Sequence, residues 1–167
     1  KDGTLVNSTK GKFIGFPWEQ EPIPGAIEAL DRFMQDGWIA CVCSNQDGIA
    51  AGHKSLESTF EEMLYCQELF PKIKEFYFCP DFQGLVCWRL WGTEDDERIK
   101  YDKDPVDYVI STAVAGQFRK PNPGMINLAI HIYIPEQVIY VGDMESDKEA
   151  AENAGVDFLW AEKWRNP

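Results

Sequence analysis

Apolar residues recur at Ile27, Leu30, Phe33 and Met34, the three-and-four spacing of one helix face, and Gly37 follows where such a helix can stop. The pattern predicts a helix of about three turns. Trp38 to Cys43 is then apolar without alternation, as expected of a strand covered on both faces in a parallel sheet, and it closes at Ser44-Asn45-Gln46. Helical spacing returns at Leu56, Phe60, Met63 and Leu64, between about His53 and Pro71, and Glu75 to Cys79 reads as the next short strand.

From residue 80 to about 117 the pattern breaks down. Trp88, Trp91, the acidic run Glu94 to Glu97 and Asp104-Pro105 predict an insertion or extended loop. Order resumes with a helix from Pro123 to about Tyr133, a strand at Val138 to Val141, a helix from about Asp147 to Asn153, and a last strand from Val156 to Trp160, with Gly155 as the stop between the last two. Apolar strands alternating with helices predict an α/β fold, a three-layer, Rossmann-like parallel sheet with helices on both faces.

Composition narrows this picture. A chain of 167 residues, 44% of them hydrophobic, can bury one sizeable core, and a single domain spanning 1–167 is expected. No run reaches the roughly 18 apolar residues of a membrane span, so a cytoplasmic protein without a membrane partner is expected. The net charge of −12 disfavours nucleic acid as a partner, since such binding draws on Lys and Arg to neutralise phosphates. Five cysteines, Cys41, Cys43, Cys66, Cys79 and Cys87, lack the density of a disulfide framework and are expected to be reduced. Nothing in the sequence sets the oligomeric state.

Four polar segments fall at or near predicted strand ends, where open α/β sheets bind ligands: Asp2-Gly3-Thr4-Leu5, Ser44-Asn45-Gln46, Arg119-Lys120-Pro121 and Gly142 to Asp147. Each alone is an ordinary turn, cap or strand exit. In this order they resemble the four motifs of the haloacid dehalogenase-like phosphatases, over nearly the whole chain. The nearest likeness is to the small-capped or capless group with histidinol-phosphate, heptose-bisphosphate and polynucleotide 3′-phosphatases. Ser44-Asn45-Gln46 and Arg119 to Met125 are the more specific matches.

The resemblance implies a magnesium-dependent phosphomonoester hydrolase working through an aspartyl-phosphate intermediate on a small phosphorylated metabolite. A carboxylate can attack a phosphate dianion only where cations and donors offset the repulsion. By resemblance Lys120 is the charge clamp, and Ser44, Asn45 and Thr4 belong to the phosphate-binding loops. Asp143 is the leading Mg2+ ligand, joined by the backbone carbonyl of Asp2, with Asp147 a further ligand, an orienting group or a helix cap. Asp2 is the general acid and base. Arg119 either holds a second anionic group of the substrate or forms a surface salt bridge.

The family's first motif is Asp-x-Asp-Gly-Thr after a buried strand, and this chain opens at Lys1-Asp2-Gly3-Thr4. The expectation is that Asp, the nucleophile, precedes Lys1 at the end of such a strand. Some relatives carry a zinc loop. Here Asp81 stands where its His belongs after Cys79, only Cys87 follows, and Cys41 and Cys43 fit a buried strand, so zinc is not expected; His53 and His131 are isolated. Phe82, Trp88 and Trp91 are read as the core of a small subdomain, or as a stacking surface for substrate. A polynucleotide 3′-phosphatase and a non-catalytic binding protein with the same fold are the alternatives.

Overall fold

The structure is a computed structural model that describes residues 1–11, 13–91, 100–101 and 117–167. Two three-residue strands, β1 (Val6–Ser8) and β2 (Gln20–Pro22), pair antiparallel. Helix α1 (Ala26–Gln35) leads to β3 (Cys41–Asn45), α2 (Leu56–Leu69) to β4 (Glu75–Cys79), and then come β5 (Trp88–Trp91) and β6 (Lys100–Tyr101). The chain continues through α3 (Gly124–Tyr133), β7 (Ile139–Gly142), α4 (Glu145–Ala154), β8 (Asp157–Trp160) and α5 (Ala161–Arg165).

Among the described residues β3 and β4 pair in parallel, as do β7 and β8, but β5 lies antiparallel on β4 and β6 antiparallel on β5. The architecture is α/β with a mixed sheet, which corrects the expectation of an all-parallel one. The reason lies in Trp88 to Trp91, part of the stretch expected to be an insertion or loop. Its Leu90 is fully buried opposite Phe76, so these residues extend the main sheet. Trp88 therefore packs on the main core. Trp88 meets Phe60 edge to face at 5.5 Å, Phe60 meets Phe78 at 5.3 Å, and Phe82 is exposed. The remaining expectations on 92–99 and 102–116 lie outside the described residues.

Strand β4 shows why its sequence is apolar throughout. Phe76 and Phe78 enter one hydrophobic cluster with Val42, Leu30, Met63, Phe70 and Trp164, while the alternate residues Tyr77 and Cys79 enter a second with Cys43, Met125, Leu128 and Ala150. Side chains of a strand point alternately to its two faces, so each face of β4 has its own cover, α1, α2 and α5 on one side and α3 and α4 on the other. The strand starts at Glu75, a buried carboxylate gripped on both oxygens by Arg89 of β5, at 2.6 and 3.0 Å, and by the Tyr77 hydroxyl. Helix α2 starts at Ser55, whose hydroxyl accepts the Ser58 N–H at 3.1 Å, satisfying one of the donors a helix start leaves open. No helix among the described residues is long and apolar enough to cross a membrane.

Because Leu90 has no exposed surface, its truncation leaves a cavity against Phe76 as well as losing buried methyls. Leu90→Ala is expected to lower stability by about 2–5 kcal/mol in denaturant titration. A loss below about 1 kcal/mol would mean that β5 does not belong to the core.

Candidate active site

The N-terminal segment forms a tight turn in which the N–H groups of Thr4, Leu5 and Val6 all point at the Lys1 carbonyl, at 3.3, 2.8 and 3.3 Å. Gly3 holds a left-handed φ of 73°, and a Cβ there would lie 2.1 Å from Asp143 Oδ2. The turn is thus pressed against the exit of β7 at a distance only glycine allows. Thr4 Oγ1 donates to Asp143 Oδ1 at 3.1 Å, and Arg165 Nη1 donates to the carbonyls of Gly3 and Thr4 at 3.1 and 2.8 Å.

Ser44 and Asn45 are the last residues of β3 rather than the loop after it. Ser44 is buried, and its hydroxyl accepts from Gln46 Nε2 at 2.9 Å. The Asn45 amide is committed to Lys120 at both ends. Its Nδ2 donates to the Lys120 carbonyl and its Oδ1 accepts the Lys120 N–H, each at 3.0 Å. Both ends of the Asn45 side chain are thereby turned to the 119–121 segment. That side chain sets the position of Lys120.

Lys120 Nζ donates to Asp147 Oδ1 at 2.5 Å and to the Cys43 carbonyl at 3.2 Å, and its side chain is 11% exposed. Burial disfavours the charged form, yet Tyr140 and Asp147 beside it hold its pKa above the ordinary lysine value. Asp147 is the converse: burial raises its pKa, but the Lys120 ammonium outweighs this and holds it below 3.8. The other Asp147 oxygen accepts the N–H groups of Asp143 and Met144, both at 3.1 Å. Both oxygens are occupied by protein donors, so Asp147 orients the lysine and caps α4. Gly142 makes room, since a Cβ there would sit 2.3 Å from the Cβ of Asp147.

Asp2, Thr4, Ser44, Asn45, Arg119, Lys120, Asp143 and Asp147 all line one cleft of about 440 Å³, together with apolar residues of β3 and β7 such as Val42 and Val141. Arg119 is not turned freely into it. The guanidinium is held in a two-pronged pair with Asp47, at 3.0 and 2.6 Å, with about a third of each side chain exposed. Asp47, Lys1, Glu62 and Tyr140 were not singled out from the sequence.

Comparison with known proteins places this geometry. The model of the haloacid dehalogenase-like hydrolase family matches residues 103–161. A D-glycero-alpha-D-manno-heptose-1,7-bisphosphate 7-phosphatase from Burkholderia mallei is 31% identical over 161 residues, covering 93% of this chain and 69% of the relative. The chain belongs to the haloacid dehalogenase-like hydrolases. A D-glycero-beta-D-manno-heptose-1,7-bisphosphate 7-phosphatase from Pseudomonas putida is 28% identical, over 93% of this chain and 75% of its own. The crystal structure of the D,D-heptose 1,7-bisphosphate phosphatase of B. bronchiseptica, complexed with magnesium and phosphate, superposes with a TM-score of 0.64. It covers 95% of this chain and 75% of that one at 23% identity, a likeness of fold.

As a haloacid dehalogenase-like hydrolase the chain offers hard oxygen donors at one corner of the cleft. The Asp143 carboxylate is exposed and, among the described residues, takes one hydrogen bond, from Thr4. The backbone donors of the N-terminal turn go to the carbonyls of Lys1 and Val6, which leaves the Asp2 carbonyl outside that set. A carboxylate and a carbonyl with spare lone pairs suit Mg2+, which binds through few protein oxygens and keeps waters. No three His, Cys, Asp or Glu side chains among the described residues converge on a metal position.

Two outcomes follow from the packing of these loops. Gly3→Ala is expected to reduce turnover at least about tenfold by displacing Asp143, an effect of about 1.4 kcal/mol or more on the barrier; an unchanged kcat would show that the close approach is not required. Asp147 is depressed in the folded state, so its stabilisation is present at neutral pH and is lost as pH falls below 3.8. The stability gap between wild type and Asp147→Asn, measured by denaturant titration, is expected to be open at pH 7 and to narrow in that acid range.

Proposed function

We propose that this chain is a magnesium-dependent phosphomonoesterase that hydrolyses a phosphorylated sugar through an aspartyl-phosphate. The observation that carries the reading is the enclosed Lys120 ammonium, fixed by Asp147 and the Cys43 carbonyl beside Ser44, Asp143 and Asp2 in one cleft. A fixed cation at that place serves an anionic group better than it serves a neutral one, and a phosphoryl group gathers negative charge on its oxygens as it transfers.

The division of labour is as follows. Ser44 and the neighbouring backbone hold the phosphoryl oxygens, and Lys120 offsets their charge. Asp143 and the Asp2 carbonyl hold Mg2+, which supplies further positive charge to the phosphoryl group when bound. Asp2 gives a proton to the leaving oxygen and later takes one from water. Sugar phosphates are favoured as substrates because the relatives from P. putida and B. mallei carry heptose-bisphosphate names, and because the net charge of −12 opposes a polynucleotide. Arg119 is the residue to meet a second anionic group, by exchanging its exposed partner Asp47 for the substrate.

Steady-state kinetics on sugar phosphates and bisphosphates test this. Lys120→Ala is expected to lower kcat at least about a hundredfold, since it removes charge stabilisation in the transition state, while Arg119→Ala raises KM with kcat little changed. Asp143→Asn and excess chelator are each expected to abolish most activity. Full turnover in chelator, or in Asp143→Asn, contradicts the assignment.

A further inference from the structure

Beneath the turn of Lys1 to Val6 lies a charged cluster that the reaction as described does not use. The side chain of Lys1 has no exposed surface, so it cannot touch a substrate. An ammonium carries three donors and no acceptor, and each donor here has an oxygen: Asp2 Oδ1 at 2.6 Å, Glu62 Oε1 at 2.7 Å and Gln20 Oε1 at 3.2 Å. The partners are themselves held. Glu62, buried in α2, accepts Lys54 Nζ on its second oxygen at 2.5 Å, and the Gln20 amide donates to the carbonyls of Pro17 and Glu62 at 2.7 and 3.0 Å.

Enclosed ion pairs contribute little net stability, because the cost of desolvating both charges offsets their attraction. What this cluster does supply is direction. With Oδ1 of Asp2 anchored to Lys1, the rotation of the carboxylate is fixed. Oδ2 is the oxygen left on the half-exposed side, where Gln46 Nε2 lies 3.5 Å away and also holds Ser44.

We propose that Lys1, braced by Glu62, is a positioning residue that fixes Oδ2 of Asp2 as the oxygen exchanging protons with the leaving group and the water. The inference rests on the reading of Asp2 as the acid and base. In the first step the attacking carboxylate forms a bond to phosphorus and the bond from phosphorus to the ester oxygen breaks. Its electron pair stays on that oxygen, and the proton on Asp2 Oδ2 moves to it. A misdirected Asp2 therefore fails in proportion to how much the leaving group needs that proton.

The test compares kcat/KM, which reports the steps up to release of the alcohol, for glycerol 2-phosphate and p-nitrophenyl phosphate. The first leaves as an alkoxide that needs a proton and the second as a stable phenolate. Lys1→Met is expected to lose at least about tenfold more on the alkyl ester than on the aryl ester. Glu62→Gln should show the same preference to a smaller degree, and Asp2→Asn a larger one. Equal losses of Lys1→Met on both esters, with Asp2→Asn still selective, overturn the positioning role alone. Equal losses of Asp2→Asn on both esters overturn the reading of Asp2 and the inference with it. Thermal unfolding reports whether Lys1→Met folds, and if it does not, the Glu62→Gln comparison decides between the same outcomes.

Discussion

An ammonium group enclosed by protein is tolerable only if opposite charge and carbonyl oxygens replace its lost water, and at Lys120 this requirement organises the whole site. Its counterion is Asp147, and Asp147 reaches it only because the turn from β7 into α4 is folded around the carboxylate. That turn needs Gly142, because a Cβ would collide with Asp147. The same lysine is held by its backbone on both arms of the Asn45 amide, which fixes the end of β3 against the 119–121 segment. Satisfying one cation thus joins three segments, with Lys120 lying 75 residues from Asn45 and 27 from Asp147. The fourth joins through Gly3, whose bare backbone packs on Asp143.

Lys1, Lys120 and Arg119 line the cleft together with Asp2, Asp47, Asp143 and Asp147, so its cations are paired with carboxylates rather than in excess over them. A small anion therefore depends on individually placed donors, while a long polyanion also meets the net charge of −12. The two enclosed lysines differ. Lys120 is directed by one carboxylate and a carbonyl, whereas Lys1 spends every donor on protein oxygens and acts on Asp2 alone.

Much of the fold was legible because burial on two faces leaves an unmistakable apolar run. Glu75 to Cys79 is a strand over the residues expected, and α3 and β8 are each within about a residue of expectation. The start of β3 was misplaced towards Trp38 because apolarity continues upstream of it. Ile39 is exposed, while the polar pair Ser44-Asn45 is still in the ladder with Phe78 and Cys79. Strands β1 and β2 had no signal, since three residues such as Val6-Asn7-Ser8 are too short for a period to show. Motif order named residues that the fold brings to one cleft, but it did not give the directions of their side chains. Nothing in the order of letters says that Asn45 turns to Lys120, that Asp147 has both oxygens taken, or that Glu62 of α2 lies under the N-terminal turn.

The two ion pairs at the cleft differ in a way that separates chemistry from recognition. Lys120 and Asp147 are 11% and 5% exposed, so parting them strands two charges in a dry setting, at a cost of several kcal/mol. Arg119 and Asp47 are 32% and 35% exposed, and a pair of that kind is worth about 0–1 kcal/mol. The first arrangement is a fixture, suited to stabilising charge that appears only as the phosphoryl group moves. The second can be exchanged for another anion at little cost, and guanidinium retains its two-pronged geometry whether its partner is a carboxylate or a phosphate. On the proposed function, substrate choice is therefore assigned to the exposed pair and its neighbours, and charge stabilisation in the reaction to the enclosed one.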